Sequence, residues 1–120
     1  MRAIGNVFEQ RACAELERAG LQLLARGYNT RFGEIDLVMR EGDTIVFVEV
    51  RYRKHATHGD AAESITAGKR AKLIKAAELW LAANPKNSNT SCRFDVVTYD
   101  GAAENARSSW VRAAFEAQSR

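Results

Sequence analysis

The stretch GEIDLVMREGDTIVFVEVRYR, residues 33–53, decides the fold because it contains two strongly apolar β-strands joined by a short polar turn. The residues alternate with a period of two: Ile35, Leu37 and Met39 share one face of the first strand, and the valines at 46, 48 and 50 share one face of the second. We expect both strands to be buried on both faces near their middles.

Two carboxylates, Asp36 and Glu49, interrupt these apolar strands. The turn EGDT suits a two-residue hairpin loop, since Gly42 can supply the positive φ that the first central position of a type II′ turn needs. In the register that this loop sets, Asp36 lies opposite Glu49 and Glu34 lies opposite Arg51.

Opposed carboxylates destabilise a strand pair, by about 4 kcal/mol at roughly 4 Å and an effective dielectric near 20. One remedy is Arg51, which lies diagonal to Asp36 and would form an ordinary salt-bridge cluster. The other is a divalent cation such as Mg²⁺, which two carboxylates and water can hold. The spacing of the residues leaves both alternatives open.

Composition indicates one domain over residues 1–120, with 46% hydrophobic and 28% charged residues. No apolar run of membrane length and no leader pattern is seen, so we expect a soluble, cytoplasmic protein that does not enter a membrane. The net charge of +3 is compatible with a polyanionic partner. Cys13 and Cys92 lack metal or disulfide spacing and are expected to be small core residues.

The remaining pattern predicts an α/β fold, a mixed β-sheet flanked by helices. An amphipathic helix is expected over residues 6–20 with Asn6 as its N-cap, followed by a short strand, the hairpin, and a second helix over about residues 64–83. That helix has a buried stripe of Leu73, Ala76, Ala77 and Trp80. A fourth strand follows at residues 92–99, and residues 108–118 fit either a strand leading into a short helix or a helix throughout.

Basic residues cluster after the acidic strand pair and along the second helix. They are Arg51, Arg53, Lys54, Lys69, Arg70, Lys72 and Lys75. His55 and His58 accompany them in a polar loop, where a solvated or phosphate-contacting role fits better than a metal site. A solvated helix face is the ordinary alternative for the lysines.

Four segments resemble the YraN family of small bacterial proteins: GNVFEQRACAELERAG, the stretch from Arg31 to Arg53, ITAGKRAKLIKAAELWL, and RFDVVTY. An acid in the first helix, an Asp on one strand and a Glu-x-Lys pattern on the next are similar to the PD-(D/E)xK nuclease superfamily, which includes Holliday-junction resolvases. The likeness covers Gly5 to Tyr99. It implies a restriction-endonuclease-like core.

The resemblance assigns roles residue by residue. Asp36 and Glu49 match the metal-binding acids, with Mg²⁺ as cofactor and Mn²⁺ as its substitute, and Glu9 matches the helix acid. Lys69 matches the lysine at the start of the second helix, near a phosphate. Arg51 stands where the superfamily usually has lysine; because arginine stays protonated, it can orient water or stabilise charge but not accept a proton.

Two of these acids also have ordinary explanations. Glu9 reads as an acid in the first turn of its helix, where the macrodipole favours it. Glu34 is either a fourth ligand or the salt-bridge partner of Arg51.

The leading hypothesis is a metal-dependent endonuclease that hydrolyses phosphodiester bonds in nucleic acid, with DNA implied by the resemblance. Catalytic residues would be Glu9, Asp36, Glu49 and Arg51. Contacts to nucleic acid would come from Arg53, Lys54, Lys69 and Lys72. The alternative is a non-catalytic nucleic-acid-binding module of the same fold that acts in DNA processing through a partner. A purely structural interaction domain is a third hypothesis, and the oligomeric state, a homodimer included, stays open.

Overall fold

The computed structural model describes residues 3–55, 65–87 and 90–116, with side chains from Val7 onward. The helices and strands are, in chain order, α1 (Ala3–Arg18), β1 (Gln22–Thr30), β2 (Gly33–Glu41), β3 (Thr44–Arg53), α2 (Ala67–Ala83), β4 (Ser91–Asp100) and β5 (Arg107–Phe115). Short 3₁₀ helices precede β4 and β5.

The strands form one five-stranded sheet in the order β1-β2-β3-β4-β5. Neighbours pair antiparallel except β3 and β4, which are parallel and are connected through α2. The predicted α/β class and mixed sheet are thus confirmed, and the architecture is compatible with a restriction-endonuclease-like core. Residues 107–115, for which periodicity allowed strand or helix, form the fifth strand at one edge of the sheet.

The hairpin between β2 and β3 has the predicted register near the turn, with Glu41 paired to Thr44 and Val38 to Phe47. The predicted pairs Asp36–Glu49 and Glu34–Arg51 do not form, because the pairing ends at Leu37 and Val48. Gly42 has a φ of +59°, and among the described residues Ala113 is the one non-glycine residue with positive φ. A positive φ at Gly42 without one at Asp43 fits the predicted type II′ turn and not type I′.

Each face of the sheet is covered by one helix. On the α1 face the core contains Phe8, Ala12, Leu16, Leu37, Met39, Val46 and Val48, among others. On the α2 face it contains Ile35, Val38, Phe47, Leu73, Ala77 and Trp80, among others. The predicted buried stripe of α2 is therefore confirmed.

The prediction that Ile35 shares a face with Leu37 and Met39 is wrong, because Ile35 packs on the α2 side. The alternation of β2 breaks at Asp36. At this point the pairing with β3 has ended, and Gly27 in the adjacent β1 adopts a φ of +59°.

Both helices differ at their beginnings from the sequence prediction. α1 starts at Ala3, so Asn6 lies inside the helix and is not its N-cap. The reason is that residues 3–5 contain no helix breaker stronger than one glycine, so nothing stops the helix from extending. α2 starts at Ala67, and its N-cap is Thr66, whose hydroxyl accepts a hydrogen bond from the Lys69 N–H at 3.1 Å.

A bulge between β4 and β5 is held by Asp95, whose side chain is fully buried. Its carboxylate accepts hydrogen bonds from the Arg93 guanidinium, the Trp110 indole N–H and the Ala113 backbone N–H, at 2.9–3.2 Å. Ala113 has a φ of +50°, a strained value for alanine. Asp95 is therefore a structural carboxylate outside the candidate site.

Two expectations from composition concern the cysteines and membrane-spanning segments. Cys13 is buried as expected, but Cys92 is exposed, because it lies near the start of β4 at the end of the sheet. None of the helices in the described parts of the chain is long and apolar enough to cross a bilayer.

Candidate metal and nucleic-acid site

The candidate site is a cleft that opens where β2 and β3 separate. Their pairing ends at Leu37 and Val48, one step before Asp36 and Glu49. Beyond that point β2 stays paired with β1, and β3 stays paired with β4. We call the opening the acidic cleft; it has a volume of about 260 Å³ and is lined by Phe8, Glu9, Glu34, Asp36, Glu49, Val50, Tyr52 and Lys69.

Asp36 is buried in this cleft with 8% of its surface exposed. Its carboxylate accepts a hydrogen bond from the Val50 backbone N–H at 2.8 Å, which fixes its direction. Burial, followed by the negative charge of Glu49, raises the pKa of Asp36 to about 8, and Glu9 and Glu34 act in the same direction. The hydrogen bond from Val50 opposes this shift but does not cancel it.

Glu49 is equally buried, with 7% exposed, and burial raises its pKa as well. Two cations oppose that shift. The Lys69 ammonium lies 3.5 Å and the Arg51 guanidinium 4.0 Å from Glu49 Oε2. The other oxygen, Oε1, is buried and has no hydrogen-bond partner among the described residues. Arg51 therefore neutralises the charge of Glu49 only in part, because its guanidinium lies at the distance limit of an ordinary salt bridge.

This geometry fits a hard divalent cation. Asp36 and Glu49 supply carboxylate oxygens at one place, and a buried oxygen without a partner is costly unless something binds it. In residues 3–55, 65–87 and 90–116 no group of three or more His, Cys, Asp or Glu side chains is arranged to hold a metal ion. The residues present therefore fit Mg²⁺ held by two carboxylates with water or substrate oxygens as the other ligands.

Glu9 reaches the acidic cleft from α1 and is 7% exposed. The explanation from the macrodipole is wrong, because α1 begins at Ala3 and Glu9 lies in its second turn, while the first turn carries no acid. The structure thus brings the three acids Glu9, Asp36 and Glu49 to one cleft, with Glu34 beside them.

The two predicted cations near Glu49 are placed differently. Lys69 lines the acidic cleft, whereas Arg51 does not belong to its lining. Lys69 comes from the first turn of α2, so its proximity to Glu49 depends on the packing of α2 against the sheet. Periodicity on α2 could not reveal this contact; the resemblance alone pointed to the residue.

An aromatic wall of the cleft was missed by the sequence pattern. Phe8 stacks on Tyr52 with ring centroids 4.6 Å apart, and the Tyr52 hydroxyl donates a hydrogen bond to the Gly101 carbonyl. Phe8 also packs on Tyr99 at 4.8 Å. Phe8 was recognised only as one of the regularly spaced apolar residues of its helix.

The predicted basic cluster is divided among different partners. Arg53 forms a two-point ion pair with Asp100 on β4, at 2.7 and 3.0 Å, which engages its guanidinium within the protein. Lys54 and His55 are exposed, and His58 lies outside the described residues. Lys72 is exposed and lines a second cavity next to the acidic cleft.

The other two basic residues of the cluster contact aromatic rings. Arg70 lies over the Phe115 ring, with its guanidinium 5.3 Å from the centroid. The Lys75 ammonium lies 5.5 Å from the centroid of the Phe32 ring. The basic residues therefore do not form one continuous patch of unengaged charge.

Comparison with known proteins places the chain in a family. A UPF0102 protein of Vibrio cholerae is 55% identical over 94 residues, which cover 78% of this chain and 77% of the relative. A UPF0102 protein of Pseudomonas fluorescens is 50% identical over 113 residues, covering 93% and 92%. One of Pseudomonas aeruginosa is 48% identical over 115 residues, covering 94% and 92%. The profile of "Uncharacterised protein family UPF0102" matches residues 8–99. The chain therefore belongs to family UPF0102, the YraN family.

Proposed function

We propose that this protein binds nucleic acid and hydrolyses its phosphodiester bonds with the help of a divalent metal ion, Mg²⁺ or Mn²⁺, at the acidic cleft. The observation that carries the proposal is the pairing of Asp36 and Glu49. Both carboxylates are buried, they face one cleft, and one oxygen of Glu49 has no hydrogen-bond partner among the described residues. When both members are ionised, such a pair is unfavourable without a cation between them.

Asp36 and Glu49 would hold the metal. When bound, the ion polarises a phosphodiester and activates a water molecule. The Val50 N–H keeps the Asp36 carboxylate directed into the cleft, so the ligand position is set before substrate arrives. Glu9 lies close enough to the same opening to accept hydrogen bonds from water there.

Lys69 and Arg51 supply positive charge beside the acids. The Lys69 side chain is 43% exposed, so its ammonium can contact both Glu49 and a phosphate that enters the cleft. Arg51 is 35% exposed and is a fixed cation that can stabilise charge developing on a phosphate. Lys72 and Lys54 are exposed and would bind flanking phosphates.

The experiment is to titrate Mg²⁺ and Mn²⁺ into the wild-type protein and to assay linear and branched DNA and RNA with the same sample. Asp36→Asn keeps the size of the side chain and an oxygen that can accept from Val50 but removes the ligand charge. We expect it to lose metal binding and cleavage together. Asp43→Asn makes the same chemical change at an exposed turn residue and should leave both unchanged. Cleavage that persists in Asp36→Asn would contradict the proposal.

A second function is a nucleic-acid-binding module of this fold that has lost turnover and acts in DNA processing through a partner. Arg51 favours it, because arginine cannot exchange a proton at the position where the superfamily usually has lysine. In that case Asp36→Ala would leave affinity for nucleic acid intact or raise it, since an acid facing phosphates is removed. No cleavage of any substrate by the wild type with either metal would favour this second function.

A further inference from the structure

A second cavity of about 200 Å³ adjoins the acidic cleft, between the turn from β1 to β2 and the first half of α2. We call it the Phe32 pocket, and its lining residues are Phe32, Gly33, Glu34, Lys69, Lys72 and Leu73. Glu34 and Lys69 line both openings, so the two cavities are neighbours across these two side chains. A polymer whose phosphate lies at the acidic cleft could therefore extend past these two side chains into the Phe32 pocket.

Phe32 is half-buried and belongs to neither hydrophobic core. Its ring is accompanied by cations instead, with the Arg31 guanidinium 5.0 Å and the Lys75 ammonium 5.5 Å from the ring centroid. A phenylalanine that packs in no core is kept partly in water at a cost, because burying its ring would be favourable. Because the ring lines the cavity, it can contact a ligand there.

The turn that carries Phe32 is held in a fixed form. The Thr30 hydroxyl oxygen accepts a hydrogen bond from the Phe32 N–H at 3.0 Å, and the hydroxyl donates one to the Gly33 carbonyl at 2.9 Å. Gly33 has a φ of +143°, and apart from Gly33 and its two chain neighbours no described heavy atom lies within 4 Å of the position of a Cβ there. The ring therefore sits on an ordered turn and borders the cavity.

An aromatic ring next to lysines is the arrangement with which proteins bind unpaired nucleotides: the base stacks on the ring and the phosphates contact the ammonium groups. A base inside a duplex has its faces covered by its neighbours and cannot stack on a protein ring unless it leaves the helix. We propose that the Phe32 pocket binds one unpaired nucleotide next to the phosphate in the acidic cleft. The preferred ligands are then single strands, flaps and branches; the proposal rests on nucleic acid being the ligand of the acidic cleft.

The cations around the ring fit this ligand. Lys72 and Lys75 are exposed, and Arg31 is exposed at the tip of the turn. When a base covers the ring, these side chains can turn from the ring to the phosphates, where a cation gains more than over an aromatic face. Glu34, also in the pocket, can accept hydrogen bonds from the exocyclic amino groups of a base.

The test compares Phe32→Ala with Phe32→Tyr, which keeps an aromatic ring, and with Leu79→Ala, which removes an exposed apolar side chain elsewhere on α2. Affinities are measured at one salt concentration with Ca²⁺ in place of Mg²⁺, for a short single-stranded DNA, the matching RNA and a blunt duplex of equal length. We expect Phe32→Ala to bind the single strands roughly 5- to 100-fold more weakly and the duplex within twofold of wild type. Phe32→Tyr and Leu79→Ala should bind like wild type. Loss with both single strands supports base stacking, and loss with one of them identifies the polymer.

An equal loss on duplex and single strand, or no loss on either, would overturn the proposal. Thermal unfolding of Phe32→Ala within a few degrees of wild type shows that the variant is folded. If it is not, Phe32→Leu, which keeps an apolar side chain but has no aromatic face, takes its place with the same expected loss on single strands. Failure of this proposal is separable from failure of the proposed function. If Asp36→Asn abolishes cleavage while Phe32→Ala binds single strands as tightly as wild type does, only the assignment of the Phe32 pocket is wrong. If Phe32→Ala weakens binding while wild type cleaves nothing, only the proposed nuclease activity is wrong.

Discussion

Replacing Asp36 by Asn should stabilise the metal-free protein above pH 8, because the ionised carboxylate is unfavourable in the folded state. Its pKa rises from an ordinary value of 3.8 to about 8 on folding, chiefly through burial and the charge of Glu49. A group with a raised folded pKa binds more protons in the folded state than in the unfolded one between those two values. The free energy of unfolding of the wild type therefore falls as pH rises from about 4 to about 8, and is lowest above that range.

The size of the effect follows from the shift. Each pKa unit corresponds to 1.36 kcal/mol, so the full shift from 3.8 to about 8 corresponds to about 6 kcal/mol above pH 8. Part of this stabilisation is lost in the Asp36→Asn variant. Its amide oxygen accepts the Val50 N–H less strongly than a carboxylate does, and its amide NH₂ is buried in the same place, which together cost about 3 kcal/mol. A net stabilisation of about 3 kcal/mol remains, or roughly 12 °C in melting temperature for a chain of this length.

The assay is thermal unfolding of wild type and Asp36→Asn in chelator from pH 5 to pH 9, repeated with saturating Mg²⁺. The free energy of unfolding of Asp36→Asn should exceed that of wild type by an amount that increases from pH 5 to pH 8. With Mg²⁺ at 100 times its dissociation constant the wild type gains about 2.7 kcal/mol, while the variant gains little. The difference in stability between the two proteins at pH 9 should therefore nearly vanish when the metal is added.

The opposite result would refute the reasoning. If Asp36→Asn is less stable than wild type at pH 9 in chelator, the ionised carboxylate is favourably paired in the folded state. Asp36 and Glu49 then belong to a salt-bridge network, as a structural interaction domain would have. Asp43→Asn controls for the general loss of one negative charge, since Asp43 is exposed in the hairpin turn.

Three further predictions concern other parts of the molecule. Removing Lys69 and Lys72 together should weaken binding to every nucleic-acid sequence alike. It should also reduce the slope of log Kd against log salt concentration by about 1 to 2, measured by titration at several salt concentrations. An unchanged affinity would exclude α2 from the interface. Asp95→Ala should destabilise the fold by about 3 kcal/mol in denaturant unfolding without changing metal affinity, because it removes the buried acceptor that the Arg93 guanidinium, the Trp110 indole and the Ala113 N–H share; a neutral effect would contradict this structural role. If the site cleaves as it stands, Arg51→Lys should retain or raise metal-dependent cleavage and Arg51→Ala should abolish it, whereas activity in both variants would show that Arg51 has no part in the reaction.

Some local features of the fold were predictable from sequence, because they depend on residues close together in the chain. The type II′ turn at Gly42 sets the register of β2 and β3, and alternation along β3 gives its two faces. The opening between Asp36 and Glu49 could not be predicted in the same way. It requires β2 to stay with β1 while β3 stays with β4, and these pairings involve residues far apart in sequence.

The same distinction applies to the site. The carboxylates of the hairpin were evident from spacing, but the contact of Lys69 with Glu49 joins residues 20 positions apart through the packing of α2. Arg53 was placed in the basic cluster, yet its partner Asp100 comes from a strand that could not be aligned with β3 beforehand. The role of Phe32 had no signal in the alternating pattern, because its ring lies outside both cores.

The first turn of α2 contains a local conflict that the acidic cleft resolves. Lys69 is the third residue of the helix, a position where acids are favoured and a cation is opposed by the macrodipole, by about 0.3–1 kcal/mol. Glu49, in turn, is a buried acid that lacks one hydrogen bond. Each residue is unfavourable alone and favourable in the presence of the other, 3.5 Å away.

We therefore expect a double-mutant cycle of Glu49→Gln and Lys69→Gln, measured by unfolding in chelator at pH 7, to give a favourable coupling of about 1 kcal/mol. Saturating Mg²⁺ should reduce that coupling, because a metal ion at Glu49 takes over the neutralisation that Lys69 provides without it. The same cycle with Lys75→Gln in place of Lys69→Gln is the matched control, since the Lys75 ammonium lies over Phe32. A coupling equal to that of the control would mean that Lys69 is at the helix start for a reason unrelated to Glu49. A coupling that Mg²⁺ leaves unchanged would mean that the metal does not bind at Glu49.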